Sequence, residues 1–388
     1  MNALDLFCGC GGMSHGLRSS GIRVKWANEK WEAAVDTYSA IHPEVNVFRG
    51  DSSKMLFEIR EKNSALPSKG EVDLIVGGPP CQGFSGWNRY RNINDERNSQ
   101  VDVFLSFVAL LEPEYVLMEN VTGILSLDNG RAAKSILESY SEMGYSSRLF
   151  ILQAGSFGLP QNRWRVFFVA AKGKRRIPDA MPSHEFPRTA PFNTTAFKDC
   201  VVRPVSPEKN GLGLFGKHLS VKDAIGDLPE IENGGEFTGQ YGVECGSEFQ
   251  SRLRIGSPLI TNHKTFKLGP AYMDRIKMLG PGASWVDLPP ALQPANLKKG
   301  GGSYDNRFGR LKWDGIFNTI VSKPEPYWGR YIHPTQNRVL SVRECARAQS
   351  IPDVFNFQGT LKEQYLQVGN AVPPTVAAYL GTLIQQIG

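Results

Sequence analysis

Short apolar runs alternate with helix-like stretches over the first 170 residues, and this alternation restricts the possible folds more than any other feature of the chain. Helical patterns cover residues 31–41 and 99–111, for example, and in the second of these segments apolar residues recur at helical spacing. The sequence predicts strands over residues 3–7, 23–27, 46–49, 73–76, 115–118, 147–152 and 165–171. Alternating strands and helices are typical of an α/β fold, in which a mostly parallel sheet carries helices on both faces.

The pattern changes near residue 177. From there to residue 331, Pro, Gly, Asn and Ser interrupt the chain so often that long helices are not expected. Helices are predicted in this part and beyond it over residues 221–225, 270–278, 341–349 and 374–387. The sequence therefore indicates a second, irregular domain, followed by a return to helical structure.

The positive charge of the chain is concentrated in this middle part. The whole chain has 44 Lys and Arg against 38 Asp and Glu, a net charge of +6. Residues 1–150 hold 15 basic and 19 acidic side chains, residues 151–340 hold 26 and 16, and residues 341–388 hold three of each. A segment with a net charge of +10 favours contact with nucleic-acid phosphates, although an ordinary basic surface gives the same count.

The sequence lacks the signals of export and of structural zinc. No stretch approaches the roughly 18 consecutive apolar residues that a membrane span needs, and the first apolar run is too short for a signal peptide. We therefore expect a protein that is not secreted, located in the nucleus if its source is eukaryotic and otherwise in the cytoplasm. The six cysteines form no CxxC pair, so no metal site is predicted.

Residues 4–16, LDLFCGCGGMSHG, join the first strand to a glycine-rich turn. Glycines let a backbone approach a ligand, and amides at the start of the following helix can face an anionic group. Glu29 ends the second strand about 20 residues on, where such folds bind a ribose hydroxyl pair. Asp51 follows the third strand, where a carboxylate could accept a bond from an adenine amino group. These features favour a nucleoside cofactor, while the alternative is that both carboxylates cap helices.

Cys81 is a candidate nucleophile. It follows a strand and the turn GGPP within DLIVGGPPCQGFSGWNR, residues 73–89. Pro79 and Pro80 restrict the backbone, so the cysteine is held in place at the end of a strand rather than packed in a core. A reactive thiolate needs a polar, partly exposed setting of this kind. The alternative, a small buried hydrophobic residue, is preferred for the other five cysteines.

Three more ionisable side chains are expected on the same rim of the sheet. The strand YVLMENV, residues 115–121, ends in Glu119 and Asn120. In QNRWRVFFVA, Arg163 and Arg165 stand two residues apart on a predicted strand and should therefore share one face. Thiol, carboxylate and guanidinium groups beside a nucleoside cofactor form a coherent catalytic set.

Together these segments resemble the cytosine-5 DNA methyltransferase family, and the resemblance runs nearly end to end. Residues 308–353 are most similar to the catalytic domains of eukaryotic maintenance methyltransferases and plant chromomethylases. The matching motifs are DLFCGCGG at 5–12, GGPPCQGFS at 77–85, MENV at 118–121, QNRWR at 161–165, RECARAQ at 343–349 and QVGNAVPP at 367–374.

The resemblance implies a reaction and a set of site residues. Cys81 would add to carbon 6 of a flipped-out cytosine in duplex DNA, Glu119 would bind its N3 and amino edge, and Arg163 and Arg165 would orient the ring and the cysteine region. The methyl donor would be S-adenosylmethionine. The residues implied to line its site are Phe7, Gly9, Gly11, Gly12, Met13, Glu29, Trp31, Asp51, Pro80, Asn370 and Val372. A loop that contacts DNA is implied at Gln82, Ser85 and Asn88.

The order of the motifs also implies a domain organisation. A discontinuous catalytic domain, residues 1–185 plus 336–388, would have the Rossmann-like methyltransferase fold, and residues 186–335 would form a smaller target-recognition domain. We expect a monomer that acts in epigenetic methylation or in restriction and modification.

Other functions are weighed against this one. A transfer-RNA cytosine methyltransferase is the nearest alternative, but its nucleophile loop continues PPCQPFT and it carries a later Cys-Phe-Thr triplet. Here the loop has Gly83, Phe84 and Ser85, and the triplet is absent, so DNA is favoured. A catalytically inactive DNA-binding member of the fold is a further alternative. A dehydrogenase is suggested only by the glycine-rich turn and Glu29.

Overall fold

A seven-stranded sheet is the largest element of the computed structural model, which describes residues 1–80, 100–186, 195–203, 216–298 and 307–388. The chain divides into two units. The first comprises Met1–Phe157, Trp164–Lys217 and Val372–Gly388, and the second comprises Gly158–Arg163 and His218–Ala371. Among the described residues, no helix is long and apolar enough to cross a membrane.

The sheet lies in the first unit and confirms the predicted α/β fold. Its order is β3-β2-β1-β4-β5-β7-β6; strands β1 to β5 pair in parallel, and β7 runs antiparallel to both β5 and β6. The order reverses between β1 and β4, which is where open α/β sheets bind ligands at their carboxyl edge. The strands are β1 Asn2–Leu6, β2 Arg23–Glu29, β3 Asn46–Arg49, β4 Leu74–Gly77, β5 Tyr115–Val121, β6 Tyr145–Gln153 and β7 Trp164–Lys172.

In the described part of the first unit, six helices pack against this sheet or against each other. Helix α4 is apolar along most of its length, and its Phe104 and Phe107 belong to the same buried cluster as Leu4 and Leu6 of β1. Numbered in chain order, the helices are α1 Gly12–Ser19, α2 Glu32–Ile41, α3 Ser52–Arg60, α4 Gln100–Leu111, α5 Arg131–Glu142 and α12 Pro374–Gln385.

Helices α1 and α12 approach each other with their backbones nearly in contact. A Cβ atom on Gly16 would lie 2.3 Å from the carbonyl oxygen of Pro374 and 2.6 Å from the Cβ of Ala377. A Cβ on Gly381 would lie 2.2 Å from the hydroxyl of Ser20. Only glycine permits this approach. The predicted closing helix is confirmed, and it packs directly on the helix that follows the glycine-rich turn.

The second unit has short elements, as the frequent Pro and Gly residues predict. Strands β8 Glu236–Gly239 and β9 Ile260–Lys264 form one antiparallel pair, and β10 Gly309–Arg310 and β11 Arg330–Ile332 form one parallel pair. Its helices are α6 Val221–Ile225, α7 Glu248–Arg254, α8 Pro270–Lys277, α9 Ala295–Lys298, α10 Val342–Ala348 and α11 Leu361–Asn370. Residues 336–371, which the sequence-based division places in the catalytic domain, belong to this unit.

Buried arginines hold the second unit together. Arg338 donates two hydrogen bonds of 2.7 Å to the carboxylate of Glu344, and both side chains are fully buried. Arg347 pairs with Asp227 and with Asp353. Burial alone would raise the pKa of Glu344, but Arg338 lowers it well below its usual range. The hydrogen-bonded partner of each charge offsets the cost of burying it.

Candidate active site

The glycine-rich turn between β1 and α1 has one open side and one packed side. Phe7, Gly9 and Gly11 have positive φ angles of 57°, 55° and 93°. A Cβ on Gly9 would meet no atom within 4 Å, whereas a Cβ on Gly11 would lie 2.9 Å from the side chains of Tyr38 and His42. The turn is therefore supported from below by α2, and above Gly9 there is room for a ligand.

Glu29 is fixed beside this turn by backbone amides. Its Oε2 accepts a hydrogen bond of 3.0 Å from the amide of Gly9, and its Oε1 accepts bonds of 2.8 and 3.0 Å from the amides of Lys30 and Trp31. Asp51 has a different role, because its carboxylate caps the N-terminus of α3 and accepts a bond of 2.9 Å from Ser53. The capping alternative is thus correct for Asp51, while Glu29 joins two strand ends at the turn.

These features fit a nucleoside ligand with an anionic group. The N-terminus of α1 lies at this turn, and its helix dipole favours an anionic group. The amides of Gly12 and Ser14, in the first turn of α1, already bond to the side chains of Cys10 and Asp5. The Glu29 carboxylate stands at the end of β2, the position that binds ribose hydroxyls in folds of this type. Of the residues implied to contact the cofactor, Asn370 lies at the end of α11 in the second unit, and Val372 is a buried residue of the first unit.

A carboxylate and a guanidinium meet at the same edge of the sheet. Arg165 of β7 pairs directly with Val121 of β5. Glu119 lies two residues before Val121 on the same strand, so the side chain of Arg165 contacts Glu119 as a diagonal neighbour. The Nε of Arg165 is 3.0 Å from Oε1 of Glu119, and the side chains are 16% and 12% exposed. Burial lowers the pKa of Arg165, and the Glu119 carboxylate acts in the opposite direction. Both residues are site candidates from the sequence, and the structure brings them together.

Glu119 faces the turn that leads to Cys81. A Cβ on Gly78 would lie 3.2 Å from the Oε2 of Glu119. Any side chain at position 78 would therefore crowd this second carboxylate oxygen. Asn120, which is buried, donates a hydrogen bond of 3.0 Å to the carbonyl oxygen of Pro79. This clamp on the proline turn was missed by the sequence analysis, although Asn120 stands next to Glu119. The predicted residues Cys81, Gln82, Ser85 and Asn88 lie outside the described residues.

Arg163 has a different environment from Arg165. Strand β7 begins at Trp164, so the prediction that both arginines share one strand face is wrong. Instead, the backbone amide of Asn162 donates a hydrogen bond of 2.8 Å to the carbonyl oxygen of Phe317. The Arg163 guanidinium, which is buried, donates to the carbonyl oxygens of Ile320, Gly369 and Ala371 at 3.1, 3.3 and 3.1 Å.

A mostly parallel sheet with a glycine-rich turn at its switch point, and a carboxylate and arginine pair on the same edge, is typical of α/β proteins that bind a nucleoside cofactor. The match to known families is more specific. Residues 1–386 match the family model described as C-5 cytosine-specific DNA methylase, and the chain belongs to this family.

Curated relatives carry related names. The chain is 35% identical to DNA (cytosine-5)-methyltransferase 4 of Arabidopsis thaliana and 33% identical to DNA (cytosine-5)-methyltransferase 1 of Mus musculus. Each match covers 99% of this chain and 28% of the relative, so the chain spans little more than a quarter of their length.

Solved structures share the fold. A protein described as a DNA modification methyltransferase encoded within a prophage (E. coli) aligns with a TM-score of 0.68 at 24% identity, covering 99% of this chain and 98% of that one. The S. pombe Dnmt2 methyltransferase aligns with a TM-score of 0.55 at 16% identity, covering 100% and 98%. At these identities the likeness concerns the fold alone.

Proposed function

We propose that the chain transfers the methyl group of S-adenosylmethionine to carbon 5 of a cytosine in duplex DNA. The observation that carries this proposal is the contact of Glu119 with Arg165 directly beside the Gly78 turn. The same turn leads, through a proline clamped by Asn120, to the only cysteine that the family resemblance assigns to catalysis, Cys81. Membership of the family supports the substrate and the reaction.

The glycine-rich turn is the proposed cofactor site. Glu29 would accept hydrogen bonds from the ribose hydroxyls, and the positive end of the α1 dipole would attract the carboxylate of the methionine part. Asp51 uses Oδ1 for the α3 cap, and an adenine amino group would bind its Oδ2, which lies 4.0 Å from Nζ of Lys30. When bound, S-adenosylmethionine supplies an electrophilic methyl group on a sulfonium.

The remaining chemistry belongs to the side chains of the protein. Carbon 5 of cytosine is a poor nucleophile, so the Cys81 thiolate first forms a bond to carbon 6, which makes carbon 5 electron-rich. Glu119 binds the N3 and amino edge of the ring, where negative charge would otherwise develop. After the methyl group is transferred, the carbon 5 proton is lost to a base, and the electron pair it leaves expels the Cys81 thiolate from carbon 6.

Neighbouring residues would keep this geometry. Arg165 holds one oxygen of Glu119 by a charge-assisted bond, which fixes the direction of the carboxylate toward the base. Arg163 would act at a greater distance, by ordering the backbone next to Asn370. The cytosine has to leave the helical stack to reach these groups, and Gln82, Ser85 and Asn88 are the residues proposed to contact the DNA around the gap.

The proposed division of labour follows the charge of the chain. Residues 1–185 and 336–388 would catalyse the reaction, and residues 186–335, which lie in the basic part of the sequence, would contact the phosphates and recognise the target.

A trapping experiment tests the reaction and the substrate together. Duplex DNA that contains 5-fluorocytosine should form a covalent complex with the protein when S-adenosylmethionine is present, because fluorine at carbon 5 cannot leave as a proton does. Cys81→Ala should form none, whereas Cys200→Ala, which removes a half-buried thiol elsewhere in the first unit, should trap normally. Trapping of fluorinated transfer RNA in preference to the duplex would favour the RNA enzyme instead.

Binding and turnover are expected to separate in the nucleophile variant. Cys81→Ala should abolish methyl transfer and change the affinity for duplex DNA by less than about threefold, since phosphate contacts supply most of the affinity. A titration at fixed salt measures the affinity, and methyl incorporation measures the turnover. A parallel loss of both would contradict the assigned role.

A further inference from the structure

A buried acid lies directly beneath the glycine-rich turn and takes no part in the proposed reaction. Leu4 and Leu6 of β1 belong to the main apolar cluster, so Asp5 between them points to the opposite face of the sheet. Asp5 is only 1% exposed. A charge or a polar group at such a position is retained only where specific hydrogen bonds satisfy it.

Asp5 begins a chain of hydrogen bonds that joins β1, α1 and α2. The hydroxyl of Ser14, in the first turn of α1, donates to Oδ2 of Asp5 over 2.6 Å. The hydroxyl of Tyr38, on α2, is 2.7 Å from the same Ser14 oxygen. All three side chains are buried, so the chain excludes solvent and connects three elements at the point where they meet the turn.

The same tyrosine supports the turn itself. A Cβ on Gly11 would lie 2.9 Å from the ring of Tyr38 and equally close to the ring of His42. Arg18 is 2.8 Å from Nδ1 of His42, and its guanidinium also pairs with Glu44 at 2.7 Å. The side of the turn opposite to the open space above Gly9 is thus fixed by α2.

We propose that Ser14 and Tyr38 are positioning residues for the cofactor, because the hydrogen bonds from Ser14 to Asp5 and between Tyr38 and Ser14 hold Gly11 and the first turn of α1 in the geometry that binds it. This inference rests on the proposed function, which places S-adenosylmethionine at this turn. Neither side chain reaches the open side of the turn, so both act through the backbone.

The protonation of Asp5 sets the strength of this chain. Burial raises the pKa of Asp5 to about 7; the bond from Ser14 lowers it, and the carboxylate of Glu29 raises it. The other titratable groups that face it, the Tyr38 hydroxyl and the Cys8 thiol, have pKa values raised mainly by burial and stay protonated at neutral pH. Above pH 7 Ser14 donates to a carboxylate, which gives a stronger bond than the one to the neutral acid.

Binding of S-adenosylhomocysteine, measured by calorimetry between pH 6 and 8.5, tests the inference. Tyr38→Phe should weaken binding by about 3- to 10-fold at pH 8, the range expected for one lost hydrogen bond, with unchanged turnover at saturating cofactor. Ser14→Ala should do the same. Wild-type affinity should increase as the pH rises through 7, and Asp5→Asn should flatten this increase.

Two matched variants control for structural effects. Tyr140→Phe removes the hydroxyl of another fully buried tyrosine, one without a hydrogen-bond partner among the described residues. Ser19→Ala removes an exposed hydroxyl of α1 that bonds to the carbonyl of His15 at 3.0 Å. Both should bind the probe as the wild type does at every pH.

The outcomes separate the two proposals. If the wild type binds the probe, and Tyr38→Phe and Ser14→Ala bind it equally well with the same pH profile, the positioning role is wrong while the proposed function stands. If the wild type does not bind the probe, the cofactor assignment fails and this inference fails with it. Should Ser14→Ala melt more than a few degrees below the wild type, Tyr38→Phe, which only removes an oxygen atom, decides the question.

Discussion

At the scale of single residues, the contact between Glu119 and Arg165 leads to a specific prediction. Lys at position 165 keeps the positive charge but loses the planar group that places Nε 3.0 Å from the carboxylate. Arg165→Lys should therefore lower turnover by about 10- to 100-fold, or about 1.4 to 2.8 kcal/mol of transition-state stabilisation, with little change in DNA affinity. Methyl incorporation at saturating DNA measures this.

The control for this variant is an arginine on the surface of the same unit. Arg175 pairs with Glu114 at 2.8 Å, and both side chains are about one third to one half exposed. Arg175→Lys should keep at least half of the wild-type turnover. Equal turnover in the two lysine variants would show that Arg165 contributes only charge.

The buried Asp5 predicts how stability depends on pH. Its pKa rises from 3.8 to about 7 in the folded protein, so between these values the folded state binds more protons than the unfolded state. The contribution of Asp5 to stability is therefore greatest below pH 4 and is lost as the pH rises to about 7, by up to about 4 kcal/mol.

Denaturant titrations of the wild type and of Asp5→Asn at several pH values test this. The difference between their free energies of unfolding should change across the window from pH 4 to 7 and stay constant above it. Asp274→Asn, on the exposed side of α8, controls for the removal of one carboxylate. A constant difference over the whole range would mean that Asp5 titrates normally.

Some site residues could be predicted from the sequence and others could not. Glu119 and Arg165 were found because each stands near the end of an apolar strand, where position alone indicates the rim of the sheet. The support of Gly11 by Tyr38 depends on the packing of α2 beneath the turn, and no local pattern reports such packing. Arg163 was misplaced because two residues of separation indicate a shared face only inside a strand.

At the scale of elements, the close approach of α1 and α12 gives the next prediction. Gly16→Ala puts a methyl group within 2.3 Å of the Pro374 carbonyl and forces the helices apart. We expect a loss of about 1 to 3 kcal/mol in the free energy of unfolding, although alanine is the better helix former. Thermal melting followed by circular dichroism measures the change.

A second glycine of the same unit serves as the reference. A Cβ on Gly123 would have ordinary contact with Val121 at 3.8 Å, so Gly123→Ala should be neutral or slightly stabilising. If Gly16→Ala melts at the same temperature as this variant, the backbone contact between α1 and α12 is looser than the structure indicates.

Secondary structure was predictable where the local pattern was strong. All seven strands of the sheet are predicted by the sequence. Strands such as β4 and β7 are buried and have compact apolar runs, whereas β2 and β3 are partly exposed and contain polar residues. Helices such as α3 and α5, with mixed polar composition, and strand pairs such as β10 and β11, with two and three residues, were not singled out. Two residues carry no periodicity, and their pairing depends on contacts made by the rest of the unit.

At the scale of the whole molecule, the net charge of the basic segment overstates the charge at the surface, because some of its arginines are buried. Arg163, Arg310 and Arg338 belong to the basic segment of the sequence but are at most 3% exposed, and their charges bond to internal carbonyls and carboxylates. They hold the second unit together and present no charge to a polyanion. The field available to DNA therefore comes from fewer side chains than the composition suggests.

The buried ion pairs predict that removing a buried arginine costs more stability than removing an exposed lysine. Arg347→Met would leave Asp227 and Asp353 buried without their main cation, and we expect a loss of about 3 to 5 kcal/mol in stability. Lys312→Met breaks an exposed pair with Asp314 and should cost less than about 1 kcal/mol. Chemical denaturation of both variants compares the two, and similar midpoints would argue against a structural role for the network.

The packing of α12 on α1 also has a consequence for the synthesis of the chain. Helix α1 emerges from the ribosome more than 350 residues before the helix that covers Gly16. At a translation rate of roughly 5 to 20 residues per second, α12 is synthesised on the order of 20 to 70 seconds after α1, whose apolar side includes Met13 and Leu17. The contact between Gly16 and Pro374 can therefore form only after translation of α12, and until then the apolar side of α1 remains uncovered by this helix.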